Sequence, residues 1–222
     1  MQSAVPLKLG AALRLQTRQL HTKVERSGIM QALLGGRIDR PAYCRLLRNL
    51  HAIYGALEPA LARHAGHPFI ACVHPAGLAR CRLLADDLDY LHGPDWETAC
   101  AIMPATTDYV RRLQQCDADA PALLLAHAYV RYLGDLSGGQ MLQRVVSRCF
   151  ALEGSVGTGF YAFGDAGTAA ALARRFREGL DAVETDATGI DALVSEAQWG
   201  FSQHGCLFRE LQPAGIEAPS DA

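Results

Sequence analysis

Apolar positions recur along this chain with a period between three and four residues. From Gly10 to about Met30, the residues Leu13, Thr17, His21 and Val24 share one helical face. Asp39 is placed to cap a second helix, with Pro41 tolerated in its first turn. Leu46, Leu47, Leu50, Ile53, Tyr54 and Leu57 carry that helix to an expected end near Pro59. A connector containing His, Gly and Pro follows over 64–75. Helices are predicted again over 76–91 and 95–116, and Pro121 opens a long helical stretch to about Leu152. Gly154, Gly157, Gly159, Gly164 and Gly167 mark the main loop, and helices over 168–185 and 188–212 complete the chain. No strand alternation, repeat or domain linker interrupts this pattern. It predicts an all-α bundle in a single domain, 1–222, with a helical core over about 8–212 and a polar tail over 213–222.

Composition narrows the function classes. Half of the 222 residues are apolar, enough for a real core, and the net charge of −2 gives no general attraction to nucleic acid or a membrane surface. Seven scattered cysteines form no CxxC pair, which suits reduced thiols better than a disulfide frame or a zinc site. The start of the chain lacks a signal-peptide pattern, and the longest apolar run, near 121–130, is too short to span a bilayer and contains His127. The expectation is a soluble cytoplasmic protein without membrane or nucleic-acid partners.

The run Leu136-Ser-Gly-Gly-Gln140 matches the five-letter signature of ABC-type ATPases. Such an ATPase also needs a phosphate loop ending in Gly-Lys-Ser/Thr, and neither lysine, at 8 or 23, lies in one. The glycines therefore need another explanation. Gly134, Gly138 and Gly139 stand among strong helix formers, where together they cost about 3 kcal/mol relative to alanine. The bland reading is a loop or a close helix crossing. The functional reading is a helix surface stripped of Cβ atoms so that backbone can approach a flat ligand. Gly134 and Gly138 share one face, and Asp135 and Gly139 form the neighbouring row, which puts a carboxylate at the edge of the bare surface.

A solitary histidine on an apolar face is more often a core residue than a ligand. His21 has unusual neighbours, however. Arg14 and Arg18 precede it by seven and three residues, and Glu25 follows by four, within reach of the imidazole nitrogen that would not bind metal. A metal-ligating imidazole beside two guanidiniums suits heme, which offers an iron to ligate and two propionates to pair. The bland alternative for the charged residues is a solvated helix edge.

Leu13-Arg-Leu-Gln-Thr-Arg-Gln-Leu-His-Thr-Lys-Val-Glu25 resembles the proximal-helix motif of heme oxygenases. Tyr129-Val-Arg-Tyr-Leu-Gly-Asp-Leu-Ser-Gly-Gly-Gln-Met-Leu142 is similar to their distal-helix signature. Segments 159–163, 174–180 and 207–212 are similar to later parts of the family, so the resemblance covers most of the chain. It implies an all-helical enzyme, with heme held between a proximal and a distal helix. That enzyme would cleave heme with dioxygen to biliverdin, carbon monoxide and ferrous iron, at the α meso carbon. Heme would be both substrate and cofactor, and electrons would come from a reductase or ferredoxin-like partner. By the same resemblance His21 ligates iron, supported by Glu25, and Asp135 anchors a water network that delivers protons. Gly134 and Gly138 line the distal face, Gly139 helps the helix approach, and Tyr54 and Arg131 join the distal polar network. Arg14, Arg18 and Arg177 match basic positions near the propionates, and Tyr129 and Phe208 match heme-contacting positions. Ala173 stands where a propionate-pairing lysine is common, and His204 where an asparagine is common. A non-catalytic heme carrier or sensor on the same scaffold would keep His21 and the arginines but has no need of Asp135 and the glycines, all of which are present.

Overall fold

The computed structural model describes residues 8–73 and 77–212. The predicted polar tail lies outside the described residues. Among the described residues ten α-helices follow one another: α1 (Leu9–Glu25), α2 (Gly28–Leu34), α3 (Arg40–Arg63), α4 (Pro68–Val73), α5 (Cys81–Leu91), α6 (Trp96–Ala99), α7 (Pro104–Asp119), α8 (Leu124–Cys149), α9 (Ala166–Asp181) and α10 (Ala187–Glu210). Short 3₁₀ turns sit at Pro121–Leu123 and Gly159–Tyr161, and there is no strand among the described residues. This is the all-α bundle expected from the periodicity.

Caps explain several boundaries. Asp39 accepts from Ala42 N at 2.7 Å as foreseen, Asp165 accepts from Thr168 N at 2.7 Å, and Asp186 accepts from Gly189 N at 2.8 Å. Other boundaries differ from the sequence pattern. The first predicted helix breaks at Arg26–Ser27 and restarts as α2. α3 continues through Pro59 to Arg63: the helix gives up the hydrogen bond that residue 59 would make to the Gly55 carbonyl, and the burial of Leu57, Ala60 and Leu61 offsets that cost. The 64–75 connector contains α4. The expected helix over 95–116 is split. Asn49 on α3 accepts from Met103 N at 2.8 Å and donates to Ala101 O at 3.2 Å, which holds the gap open and leaves Pro104 to start α7. α5 starts at Cys81 because the buried Arg80 guanidinium donates to the Gly77 and Leu78 carbonyls at 2.7 and 3.0 Å, holding that stretch out of a helix.

α1 packs on α10 and α9, and α3 packs on α5, α7 and α8. Leu13, Leu47, Ile53, Leu57, Leu88, Leu113, Leu125 and Phe176 fill the space between them. Burying each such side chain contributes about 1.5–3 kcal/mol. α9 can lie against α4 only because Gly179 has no Cβ, which would overlap the Cys72 carbonyl.

A buried polar network ties α7, α8 and α10. Glu196 accepts from Arg112 Nε and Nη2 at 2.8 and 2.6 Å and from His127 Nε2 at 2.9 Å. Tyr109 Oη then donates to His127 Nδ1 at 3.0 Å. The ligand atoms of Cys116, His127 and Glu196 lie within 4.8 Å of one another, close enough to share a metal ion, but Arg112 and His127 already occupy the carboxylate, so these donors are spent on one another. Burial raises the Glu196 pKa, but the hydrogen bonds from Arg112 and then His127 outweigh it and bring it down to about 2. Its stabilising contribution is therefore complete above the unfolded value of 4.5 and is lost as pH falls through about 2. Glu196→Gln should lower stability at pH 7 by about 2–3 kcal/mol, since it strips a mostly buried guanidinium of its counter-charge. Thermal melts of both proteins should show the gap narrowing between pH 7 and pH 3. A gap of constant size would mean that the charge is immaterial.

Candidate functional site

A cavity of about 1180 Å³ opens between α1 and α8, closed at its ends by α9, α10 and the turn at Gly159–Tyr161. It exceeds the roughly 300–1,000 Å³ of ordinary small-molecule pockets. The walls are mainly apolar, with charged groups confined to a few places. Leu33, Leu46, Leu50, Leu142, Phe201 and Phe208 supply much of the apolar surface.

α1 brings His21, Arg14, Arg18 and Glu25 to one wall. The His21 ring meets the edge of Phe201 at 5.6 Å between centroids, and its Nδ1 lies 3.4 Å from Glu25 Oε2. That leaves Nε2 as the nitrogen available to a metal. The side chain is 48% exposed, so this histidine is not a core residue. Thr17, one turn earlier, is buried: its hydroxyl donates to Leu13 O at 2.7 Å and hydrogen-bonds Tyr129 Oη at 3.2 Å.

α8 forms the opposite wall without interruption from Leu124 to Cys149, so the three glycines lie inside a continuous helix and not in a loop. Gly134 and Gly138 line the cavity, and a Cβ added to either would meet nothing within 4 Å. Gly139 does not line it. A Cβ there would sit 3.2 Å from the Tyr161 carbonyl oxygen, so this glycine admits the 159–161 turn behind the helix. Neighbouring rows of one helix thus differ: open space at 134 and 138, and close packing at 139.

Asp135 stands at the border between these rows. Tyr54 Oη on α3 donates to Asp135 Oδ2, and Arg131 Nη2 donates to Oδ1 at 3.1 Å. Tyr54 is fully buried behind the carboxylate and does not itself line the cavity. Burial raises the Asp135 pKa, while Arg131, the Tyr54 hydroxyl and Arg80 pull against that shift. The group is thus a carboxylate of increased proton affinity held by two donors. Arg131 is itself buried, with Nη1 against His204 Nε2 at 2.9 Å, and its Nε meets no acceptor among the described residues. A buried donor without a partner next to a cavity is a natural place for an ordered water.

Arg177 on α9 also lines the cavity and is exposed, one turn after the buried Ala173. With Arg14 and Arg18 it makes a cationic mouth to an apolar slot. Tyr129 and Phe208 line the slot. Sequence spacing did not indicate Phe201, Phe160 or Tyr161, which reach the cavity through the fold. His204 was visible only as a departure from a motif.

Comparison with known proteins agrees with this geometry. The family model described as heme oxygenase matches residues 7–210. The chain is 34% identical to heme oxygenase 1 of Nostoc sp. over 95% of its own length and 88% of that protein. It is 35% identical to heme oxygenase 2 of Synechocystis sp., over 92% of its own length and 83% of that protein. Among solved structures, heme oxygenase-2 of Synechocystis sp. in complex with heme and NO superimposes with a TM-score of 0.87 at 35% identity, covering 92% of this chain and 85% of that one. The heme oxygenase of Leptospira interrogans gives 0.86 at 29% identity, covering 92% and 100%.

Proposed function

Because the chain belongs to the heme oxygenase family, we propose that the cavity between α1 and α8 is where it binds heme and opens the ring at the α meso carbon. The observation that carries this reading is the bare face of α8: Gly134 and Gly138 leave open space above a helix that Asp135 borders, in the cavity that His21 lines from α1. The residues present fit a tetrapyrrole. The slot is apolar, its mouth is cationic, one imidazole nitrogen is free, and a buried N–H of the cavity-lining Arg131 has no acceptor among the described residues.

When bound, heme supplies both the iron at which dioxygen is activated and the meso carbon that is oxidised. His21 Nε2 would hold the iron, with Glu25 steadying the opposite ring nitrogen. Arg14, Arg18 and Arg177 would pair the propionates and set the rotation of the ring, and hence which meso carbon faces the distal wall. Gly134 and Gly138 let backbone cover that wall. Asp135, loaded by Tyr54 and Arg131, would organise water and pass protons from its carboxylate without entering the space above the ring. Electrons would come from a separate reductase or ferredoxin-like protein. No helix among the described residues is long and apolar enough to cross a membrane, and all seven cysteines are free thiols; both support a cytoplasmic enzyme.

Gly138→Leu tests the carrying observation. The added side chain points into open space, so the fold should survive with an almost unchanged melting temperature, while hemin affinity should fall by tenfold or more, equivalent to about 1.4 kcal/mol. Titration followed by the Soret band measures this. Unchanged affinity would move the ligand away from α8.

Arg177→Ala should weaken hemin binding by only about 1 kcal/mol or less, because the guanidinium is exposed. Its larger effect should be on product: with one clamp gone, the ring can rotate, and other biliverdin isomers should accompany the α isomer on chromatography. An unaltered isomer ratio would remove Arg177 from the seating of the ring.

A further inference from the structure

α10 brings a second imidazole to the distal end of the cavity. We propose that His204 is a positioning residue for the reaction: its ring is held as the Nδ1–H tautomer, accepts a hydrogen bond from Arg131, and fixes that guanidinium against Asp135. The proposal rests on the role assigned to Asp135 above.

The tautomer follows from its two neighbours. A guanidinium has donors only, so Arg131 Nη1, 2.9 Å from His204 Nε2, must donate, and Nε2 must be bare. The Gly200 carbonyl, 2.9 Å from Nδ1, can only accept, so Nδ1 must carry the proton. The two contacts have opposite polarity, and turning the ring over would break both. Packing opposes that as well. Tyr109 meets the ring edge-on at 5.1 Å between centroids, and Phe208 does so at 6.1 Å. Burial and then the neighbouring Arg131 charge hold the imidazole pKa down at about 3, with the Gly200 hydrogen bond opposing and His127 adding to the depression. His204 therefore remains an acceptor throughout the neutral range.

The effect falls on Arg131. Its guanidinium spans two helices: Nη1 reaches His204 on α10, and Nη2 reaches Asp135 on its own α8 at 3.1 Å. Its plane also lies near the Tyr54 ring of α3, with Cζ 5.2 Å from the centroid. Within α8 alone, the i,i+4 pair of Arg131 and Asp135 would leave the arginine free to swing toward the cavity. The α10 acceptor removes that freedom and keeps the positive charge on the carboxylate. The other charged or titratable groups around Asp135 are Tyr54 from α3, Arg80 ahead of α5, Tyr132 from α8 and Tyr161 from the 159–161 turn. Those acting on His204 are Arg131 and His127 from α8. An asparagine here could offer either an acceptor or a donor by turning its amide. His204 has committed its only N–H to Gly200, so toward Arg131 and the cavity it presents a lone pair alone.

The ligand-free protein provides the decisive measurements. Nitrogen-15 spectra of labelled histidine should show His204 protonated at Nδ1 and bare at Nε2. Carbon-13 titration of aspartate carboxyls should show the Asp135 proton affinity rising about tenfold in His204→Leu, as the arginine charge loses its anchor. His204→Gln, whose amide oxygen can take the place of Nε2, should restore it. The acid limb of the turnover profile should follow the same order across the three proteins. A proton found on Nε2 would overturn the proposal, as would an Asp135 titration that is the same in His204→Leu and the native protein. Should the leucine variant fail to fold, the tautomer and the glutamine variant still decide. These spectra are read without heme, so they stand apart from the catalytic role of Asp135. If Asp135→Asn turned over normally, that role would fail even with the His204 geometry intact.

Discussion

Asp135→Asn should bind hemin but form biliverdin more slowly by about 10²–10⁴-fold, the range expected when a positioned proton-transfer group is lost. The amide retains an oxygen for the Tyr54 hydroxyl and keeps the volume of the carboxylate. It loses the negative charge that Arg131 faces, and it replaces one acceptor with an NH₂ donor. Some stability should go as well, because a buried guanidinium is left without its partner, and a melting curve will record that separately. Water at the distal end would then be organised by donors alone. The expected failure is specific: biliverdin formation gives way to peroxidase-like oxidation of an added phenol. Supplying peroxide to the ferric complex makes the assay independent of any electron-donor protein. Tyr54→Phe, which removes one donor and leaves the ion pair, should be affected in the same direction but less. Normal biliverdin yields from Asp135→Asn would show that the carboxylate does not handle the proton.

His21→Ala should abolish turnover while leaving the fold almost untouched. The side chain is about half exposed and makes one ring contact, to Phe201, so its loss should change stability by no more than about 0.5 kcal/mol. Hemin should still enter, because the apolar slot and the cations at its mouth remain. Its absorption and resonance spectra should lose the signature of an axial imidazole, and imidazole added from solution should restore part of it. A variant with the native spectrum and full activity would exclude His21 as the ligand and direct attention to other donors.

Much of this molecule was legible before any coordinates. Helix after helix followed from the apolar period, since a helix in a bundle must bury one face and the spacing of that face is a local property. The places where the pattern misled have tertiary causes. Asn49 splits one predicted helix by bonding the backbone of a distant segment, and Arg80 delays the start of another because its backbone N–H is drawn to Glu58 on α3 and its guanidinium to the Ala162 carbonyl. Neither bond has a signature at the residues it affects. Pro59, which as a sequence feature ends a helix, is carried inside one by the burial around it.

By itself the sequence determined the class of fold, the presence of a bare glycine face beside a carboxylate, and the grouping of an imidazole with two arginines. Each depends on intervals of three, four or seven residues, and a helix turns such intervals into shared faces wherever it lies. Only the tertiary structure decided which way those faces point. Gly138 and Gly139 are adjacent and chemically identical, yet one opens on a cavity and the other on the backbone of Tyr161. Tyr54 proved to stand behind Asp135, out of reach of a ligand, and His204 became the acceptor for Arg131 across a helix interface. These relations depend on the rotation and offset of one helix against another, which are set by the packing of the whole core and are not encoded in any short interval of the chain.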